Sequence, residues 1–378
     1  MDIAVWLDSL DSNPPTKRKR PVDTAQFPPS PPMSDVTPRR PKRQRKQRED
    51  DNVDARQSAD FDATPRAHLP SSYASSTSRS SQSGTSSPRK AMAALGVGNE
   101  AGDYKLQSFP LSRQGRDAHR LPAPLLELLE EIEGIQDLGK VAFLDEDLRT
   151  GIEQLTGSLP DSFYAPSADR AVIGPCPSPD DVQGVVDDAQ KCFQYKNTEA
   201  GWNGKVHFPL LRLVLFGQYT RTTQLMDVEI CTTADIIHEY NRVRSGTKKK
   251  VDFVIAFDPT AHNNEQAAQE RIEELQHDLP EFSINHTDYE PLRFFPIAIS
   301  IETKRPDGSE MEGSLQMGVW HAAQWNMLQS MAQDEDRPLK FLLAIIVIGH
   351  NWSLAATTRE GNKTVGQPEQ FKLRIRAK

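Results

Sequence analysis

Residues 294–304 read FFPIAISIETK, and this stretch decides the fold. Its apolar run predicts a buried strand, in which successive side chains alternate between two faces. One face is apolar and consists of Phe295, Ile297, Ile299 and Ile301. The other face carries small and charged side chains, namely Ala298, Ser300, Glu302 and Lys304. The strand is therefore expected to end on an acid and an amine that share one face.

A second apolar run, at residues 251–257, predicts another strand and places Asp252 at its start. If the two strands are neighbours, Asp252 lies close to Glu302. Hydrolysis of a phosphodiester with a divalent metal needs hard oxygen ligands, an activated water and positive charge near the phosphate. Asp252 and Glu302 are candidate ligands of Mg²⁺ or Mn²⁺. Lys304 is the candidate group that orients the water or stabilises the transition state.

Helices are predicted around these strands, and one of them brings a further acid. It begins near Thr198 with Glu199 on its first turn, and Pro209 is expected to bend it. Glu199 would complete the metal shell through a water. Other helices are predicted at residues 179–195, 265–277 and 315–331, and other strands at residues 226–233 and 341–348. Apart from the inserted helix at 265–277, the order is helix, three strands, helix, strand, which predicts an α/β fold with a mixed central sheet.

Each candidate residue also has a structural alternative. Glu302 and Lys304, taken alone, are more commonly an exposed ion pair at a sheet edge, where such pairs contribute little. Asp252 alone is a common residue at a strand start, and Glu199 alone is an acid favoured by the helix dipole. His207 and His321 lie on largely apolar segments and are interpreted as packed histidines rather than ligands or bases.

The chain of 378 residues divides by composition into three parts. Residues 1–103 are rich in Pro, Ser, Arg and Asp, which predicts a long disordered tail. Residues 104–170 include an amphipathic leucine-rich segment after Pro124 and are interpreted as an accessory helical region. Residues 171–378 contain the predicted α/β domain.

The charge is distributed unevenly along the chain. The formal net charge is −8, yet about 20 of the 45 basic side chains lie in residues 1–120, against about 14 of the 53 acidic ones. Two basic clusters, at residues 17–20 and 39–48, are typical of nuclear import signals or of an arm that contacts nucleic acid. The acidic remainder argues against a large DNA footprint unless metal ions or the basic arm compensate.

Several classes of protein are not indicated. No run of about 18 apolar residues suggests a membrane span, and the first residues do not resemble a secretory signal. The three cysteines, Cys176, Cys192 and Cys231, lack the spacing of a zinc site or a disulfide framework and are expected to be buried free thiols. An intracellular, nuclear location is therefore predicted, with an import receptor as a partner and no membrane. The oligomeric state is left open.

Several stretches together resemble the fungal PD-(D/E)XK nuclease-like domain proteins over roughly residues 105–358. These stretches are NTEAGWN at 197–203, VHFPLL at 206–211, SINHT at 283–287, IETK at 301–304 and LQMGVWHAAQW at 315–325. The resemblance implies a restriction-endonuclease-like core with extra N-terminal helices. It also implies that Asp252 and Glu302 hold the metal and that Lys304 is catalytic. Gln316 and Trp320 are similar to a Gln-x-x-x-Tyr feature of some members, with Trp in place of Tyr, and Gln316 is expected to hold a water or a phosphate.

Two departures from the resemblance bear on the site. About 50 residues separate Asp252 from Glu302, so the insertion between them must fold away for the carboxylates to meet. The chain also ends in a basic segment where such proteins continue into helical sequence, which suggests a shortened C-terminal end.

The sequence thus predicts a nuclease that uses Mg²⁺ or Mn²⁺ and acts on DNA in the nucleus. A catalytically idle nuclease-like fold that serves as a nuclear nucleic-acid or protein interaction module is the alternative. RNA as substrate, endonuclease or exonuclease action and sequence preference are not distinguished.

Overall fold

The structure is a computed structural model that describes residues 107–108, 120–136, 144–172, 174–218, 225–241, 249–261, 266–331, 339–360, 363–368 and 373–374. The predicted tail at 1–103 and both basic clusters lie outside these residues. Within the described ranges, no helix combines the length and the apolar composition that a membrane crossing requires.

The described residues form strands, α-helices and a few short 3₁₀ turns. The strands are β1 (Gln107–Ser108), β2 (Leu144–Asp145), β3 (Tyr164–Ala165), β4 (Met226–Ile230), β5 (Phe253–Phe257), β6 (Ile297–Lys304), β7 (Leu342–Ile348), β8 (Asn351–Glu360), β9 (Lys363–Pro368) and β10 (Leu373–Arg374). The α-helices are α1 (Ala123–Gln136), α2 (Arg149–Thr156), α3 (Ser167–Ala171), α4 (Pro179–Gln194), α5 (Glu199–Trp202), α6 (Phe208–Phe216), α7 (Gln266–Asp278) and α8 (Glu310–Met331).

The main sheet is mixed, as predicted. Its strands follow the order β1-β9-β8-β7-β6-β5-β4, and β10 pairs with β8. Neighbours from β4 to β9 are antiparallel except β6 and β7, which are parallel and are joined through α8. A parallel pair needs such a crossover because the chain must return to the same end of the sheet. The predicted order of helix, three strands, helix and strand is confirmed.

Helices cover both faces of this sheet. On one face, Met317 and Trp320 of α8 pack against apolar side chains of β5, β7 and β8. On the other, Leu211 of α6 packs against Phe253 and Ile301, and α4 packs behind α6. Strands covered on both faces read as nearly continuous apolar runs, which is why β5 and β7 were recognisable.

The strand β6 begins later than predicted and contains an irregularity. It starts at Ile297 rather than Phe294, and its register with β5 shifts so that Ile255 pairs with Ile299 while Ala256 pairs with Ile297. Such a bulge reverses the alternation at its position. Ile299 and Ile301 therefore share the face that packs against α6, whereas Ile297 packs in the cluster under α8, so the prediction that Ile297 shares their face is wrong.

The insertion between Asp252 and Glu302 folds away beside the sheet. Its helix α7 buries Ala268 and Ile272 against Ile284, apart from the end of β6. Asn285 closes the insertion onto the sheet, because its amide nitrogen donates to the Leu292 and Phe295 carbonyls and its oxygen accepts from Ile297 N at 3.1 Å. The strands β5 and β6 are thus free to pair directly.

The helix that carries Glu199 is interrupted before Pro209 rather than bent at it. Asn203–His207 form a π turn between α5 and α6, in which the Phe208 N–H donates to the Asn203 carbonyl. Proline lacks an N–H and clashes with the preceding turn of a regular helix, so a local change of hydrogen-bond pattern just ahead of it is expected.

All three cysteines are free thiols. Cys192 and Cys231 are buried as predicted, whereas Cys176 is partly exposed.

Candidate active site

Glu302 and Lys304 lie near the end of β6, inside the sheet. The strand is flanked by β5 and β7, so the alternative of an exposed pair at a sheet edge is wrong. The Glu302 side chain is 1% exposed and that of Lys304 is 10% exposed, and Lys304 Nζ lies 2.5 Å from Glu302 Oε1. Gly313 of α8 lies over the pair, where a Cβ would make an ordinary contact with Glu302 Cγ at 3.6 Å. The pair is therefore a buried ion pair.

Asp252 lies directly before β5, beside this pair. Its N–H donates to the Ile301 carbonyl at 3.0 Å, which places it next to Glu302 in the register. Its Oδ2 accepts from Thr303 N at 2.8 Å and faces Thr303 Oγ1 at 2.9 Å, while its Oδ1 accepts from Asn203 Nδ2 at 3.1 Å. An ionised carboxylate offers about four acceptor positions. The Thr303 hydroxyl has one proton and also lies 2.6 Å from Asn203 Oδ1, so two or three of these positions are used and at least one remains.

Glu199 approaches from the other side of Lys304. It is the first residue of α5, and the Thr198 hydroxyl accepts from Gly201 N to cap that helix. Glu199 Oε2 lies 3.4 Å from Lys304 Nζ, and its side chain is 39% exposed. The structure thus brings Glu199, Asp252, Glu302 and Lys304 together, although they come from three separate segments.

The electrostatics of the cluster show an excess of negative charge. Burial raises the pKa of Glu302 well above its usual range, the Asp252 charge adds to this, and Lys304 opposes it. Burial also raises the pKa of Glu199, again against Lys304. Burial would lower the pKa of Lys304, but the charge and hydrogen bond of Glu302 together with Glu199 outweigh it and the pKa is raised. Three acids share one ammonium, so the cluster favours the uptake of a proton or of a further cation.

The donor set fits a hard divalent cation. Glu302 Oε2 is buried and finds no hydrogen-bond partner among the described residues. A buried oxygen without a partner is costly, and it is the kind of atom that a metal satisfies. Among those same residues, no group of three or more His, Cys, Asp or Glu side chains is arranged around one point as a ready metal shell. The carboxylates do not converge because Lys304 contacts both Glu302 and Glu199, while Asn203 and Thr303 bind the Asp252 carboxylate.

Gln316 lies beside the segment that leads into Asp252. Its Nε2 lies 3.3 Å from the Lys250 carbonyl, and no hydrogen bond from its side chain to Glu302 or Lys304 is found in the described part of the chain. Trp320, one turn further along α8, is fully buried and donates to Ser300 Oγ at 3.1 Å. The indole is therefore core, and the contact found for the Gln316 side chain is with the main chain at Lys250.

Sequence reasoning missed two residues that hold Asp252, namely Asn203 and Thr303. Thr303 was visible only as the middle residue of the Glu-x-Lys motif, and Asn203 as one more polar residue on a helix. The signal that could have found Asn203 is its spacing, because Glu199, Asn203 and His207 recur every four residues and so fall along one face. His207 and His321 are both buried, in line with the interpretation as packed histidines.

Comparison with protein-family models places residues 151–374 in one family, described as the PD-(D/E)XK nuclease superfamily. The matched range covers more than half of the chain and contains every residue of the cluster. Comparison with curated proteins gave no significant match, and neither did comparison with solved structures.

Proposed function

Since this chain belongs to the PD-(D/E)XK nuclease superfamily, we propose that it is a nuclease that uses Mg²⁺ or Mn²⁺ to hydrolyse phosphodiester bonds of DNA. The observation that carries the proposal is the buried, unpartnered Oε2 of Glu302 beside Lys304 and Glu199. A fold that only needed a packed core would be more stable with an apolar residue at this position.

The residues have distinct roles in this proposal. Asp252 and Glu302 hold the metal through carboxylate oxygens, and Glu199 completes the shell through a water. When bound, a divalent cation activates a water and offsets the charge of the phosphate. Lys304 places its ammonium against the negative charge that develops on the phosphate oxygens, where a single positioned donor is worth about 10²–10³ in rate. Gln316 holds a water or a phosphate oxygen on the Asp252 side.

The test is cleavage by the purified full chain. Supercoiled DNA, linear DNA and single-stranded RNA are incubated with Mg²⁺ or Mn²⁺, beside Glu302→Gln and Lys304→Ala. Glu273→Gln and Lys191→Ala are matched controls, because both residues are exposed and lie outside the cluster. We expect the parent and both controls to cleave DNA and the two site variants to be slower by at least about 100-fold. Cleavage that persists in Glu302→Gln would overturn the site, and faster cleavage of RNA would change the substrate.

A nuclease-like fold without cleavage is the second candidate. It is favoured by the direct Lys304–Glu302 contact, which already satisfies one oxygen of Glu302 without a metal. The protein would then bind nucleic acid or another protein in the nucleus. Absence of cleavage by every version of the chain, together with DNA binding that does not depend on Mg²⁺, would support this candidate.

The proposal also includes a nuclear location for the protein and a close relation to the fungal members of the superfamily. The basic clusters at 17–20 and 39–48 support import into the nucleus through an import receptor, and the stretches quoted above support a closer relation to fungal members. A fluorescent fusion with both clusters changed to alanine tests the location, since we expect the fusion to lose nuclear accumulation.

A further inference from the structure

Behind Asp252 lies a chain of buried polar contacts that the proposed roles do not use. Asn203 donates to Asp252 Oδ1 at 3.1 Å, and its own oxygen lies 2.6 Å from Thr303 Oγ1. The same oxygen lies 3.0 Å from His207 Nδ1, and His207 Nε2 lies 3.1 Å from the Gly349 carbonyl. One amide therefore contacts a proposed metal ligand, a residue of the Glu-x-Lys motif and a buried imidazole.

This chain of contacts closes on the strand that carries Lys304. Gly349 N donates to the Lys304 carbonyl at 2.8 Å, in the turn between β7 and β8. Gly349 has φ of +56°, and a Cβ there would lie 2.7 Å from Pro306 Cγ, so the close approach requires glycine. A neutral imidazole carries one N–H, so His207 donates to only one of these two oxygens, although its contacts run from Asn203, beside Asp252, to Gly349, whose N–H donates to the Lys304 carbonyl.

The imidazole in this path has little freedom to move. His207 is fully buried, stacked on Trp202 with ring centroids 5.7 Å apart and edge-on to Trp352 at 5.8 Å. Its position on the helix depends on the π turn, which holds both Asn203 and His207. Single π turns inside helices recur at functional sites. A ring fixed by two indoles gives the Asn203 amide a rigid partner.

We propose that Asn203 and His207 are positioning residues that fix the Asp252 carboxylate, so that its remaining acceptor position is available for the metal beside Glu302. The inference rests on the proposed function, because it needs Asp252 to be a ligand. Hydrogen bonds behind a ligand orient it, and losing one typically costs about 10–100-fold in metal affinity or activity. Thr303 shares the task from the β6 side, through its N–H and its hydroxyl.

The affinity for Mn²⁺, titrated calorimetrically into the full chain, tests the proposal. Asn203→Ala removes the amide, and His207→Phe keeps a ring between the two tryptophans but removes both nitrogens. We expect each to raise the Kd for Mn²⁺ by about 10–100-fold and to recover cleavage at saturating Mn²⁺. His207→Gln, which restores a donor and an acceptor, is expected to regain most of the affinity.

The control separates positioning from general stability. Gln276 is another buried amide, which donates to the Phe282 and Arg293 carbonyls away from the cluster. Gln276→Ala should lower Tm without changing the Kd for Mn²⁺. If Asn203→Ala does not fold, the Kd of His207→Phe for Mn²⁺ tests the proposal by itself.

The outcomes distinguish this inference from the proposed function. A parent chain that binds no Mn²⁺ overturns the proposed function and with it the role given to Asn203 and His207. A parent that binds Mn²⁺ through Glu302, together with variants whose Kd is unchanged, overturns only the positioning role. Raised Kd values in both variants and an unchanged Kd in Gln276→Ala support it.

Discussion

At the scale of single residues, Glu302 is a buried acid whose surroundings do not satisfy it. It is almost fully buried, one of its oxygens is held by Lys304 at 2.5 Å, and the other has no partner in the described part of the chain. Burial disfavours the charged form of Glu302 and its unpartnered oxygen adds a desolvation cost, whereas Lys304 also has Glu199 as a carboxylate partner at 3.4 Å. A residue that costs stability where it stands is typical of a functional site.

Glu302→Gln should therefore stabilise the metal-free protein. Because the folded-state pKa of Glu302 is raised, the folded protein holds this proton more tightly than the unfolded chain does, and stability is lost as pH rises above the usual carboxyl range. At pH 8 we expect the variant to gain about 1–3 kcal/mol, which corresponds to a few degrees in Tm. Differential scanning calorimetry at pH 5 and pH 8 measures the gain, which should be larger at pH 8.

The same measurement with Mg²⁺ adds a second readout. A metal that binds only the folded protein raises its Tm, so the parent should be stabilised at pH 8 and Glu302→Gln should not. Glu273→Gln, an exposed change of the same kind, should behave like the parent. A variant that melts below the parent at pH 8 would show that Glu302 stabilises the fold instead.

At the scale of elements, the helical run from α5 to α6 places Glu199 of the cluster and Asn203 beside Asp252. The segment α6 is anchored by Leu211, Leu213 and Phe216, whereas α5 supplies Glu199 and the π turn supplies Asn203. A π turn holds one more residue than a regular turn, so it sets how the part before it is rotated relative to α6. The positions of Glu199 and Asn203 in the site therefore depend on this single π turn.

Deleting Gly204 should remove that π turn. Gly204 is exposed within the π turn, and a Cβ there would meet nothing within 4 Å. Loss of one residue would turn Glu199 and Asn203 by about 100° around the helix axis, away from Lys304 and Asp252. We expect a protein that still unfolds cooperatively but no longer gains Tm with Mg²⁺ and does not cleave DNA.

Gly204→Ala is the matched control for the deletion. Gly204→Ala keeps the number of residues. It should raise the free energy of unfolding by about 0.5–1 kcal/mol, because alanine loses less backbone conformational entropy than glycine when it becomes helical. Thermal unfolding and cleavage are measured for both variants. Cleavage by the deletion at the rate of the parent would mean that the π turn does not position the site.

At the scale of the whole molecule, two buried histidines link the insertion, α8 and the sheet. His286 packs edge-on against Trp320 at a ring distance of 4.3 Å, and its carbonyl accepts from Ile237 N. His321 Nδ1 lies 2.9 Å from Thr357 Oγ1 of β8. Burial lowers the pKa of both to about 3, and for His286 the nearby His321 adds to the effect. Both rings are therefore neutral in the folded protein.

The contribution of these two histidines to the free energy of unfolding should fall as the solution becomes acidic. Between pH 6.5 and about 3 the unfolded chain binds protons that the folded protein excludes, so stability is complete above pH 6.5 and is lost as pH falls through that window. Each histidine should account for about 1.4 kcal/mol of loss by pH 5.5. Urea unfolding at pH 7.5, 6.5 and 5.5 measures the loss.

His321→Gln is the variant for this prediction, because it keeps a polar side chain near Thr357 and does not titrate. We expect its stability to fall less steeply between pH 7.5 and pH 5.5 than that of the parent. His277→Gln, on the exposed face of α7, should leave the slope unchanged. Parallel curves for the parent and His321→Gln would contradict the assignment.

The elements of the core were predictable because their patterns are local. Apolar runs predicted β5, β6 and β7, and the helix predicted at residues 179–195 is α4, at whose start the Ser178 hydroxyl accepts from Asp181 N at 3.1 Å. The strands β8–β10 were not predicted. Alternation is weak in β8, and the pairing of β9 and β10 is set by β8 rather than by their own sequence.

By itself, the sequence determined the residue types and their order: a strand ending in Glu302-Thr303-Lys304, an acid before the preceding strand and another at a helix start. Only the tertiary structure decided that Asp252 lies next to Glu302, that Ile297 changes face at a bulge, and that Asn203 and His207 stand behind Asp252. The physical reason is the distance along the chain over which each interaction acts. Periodicity and capping act over a few residues, whereas the contact of Asn203 with Asp252 joins groups 49 positions apart and exists only once the sheet and the helix have packed.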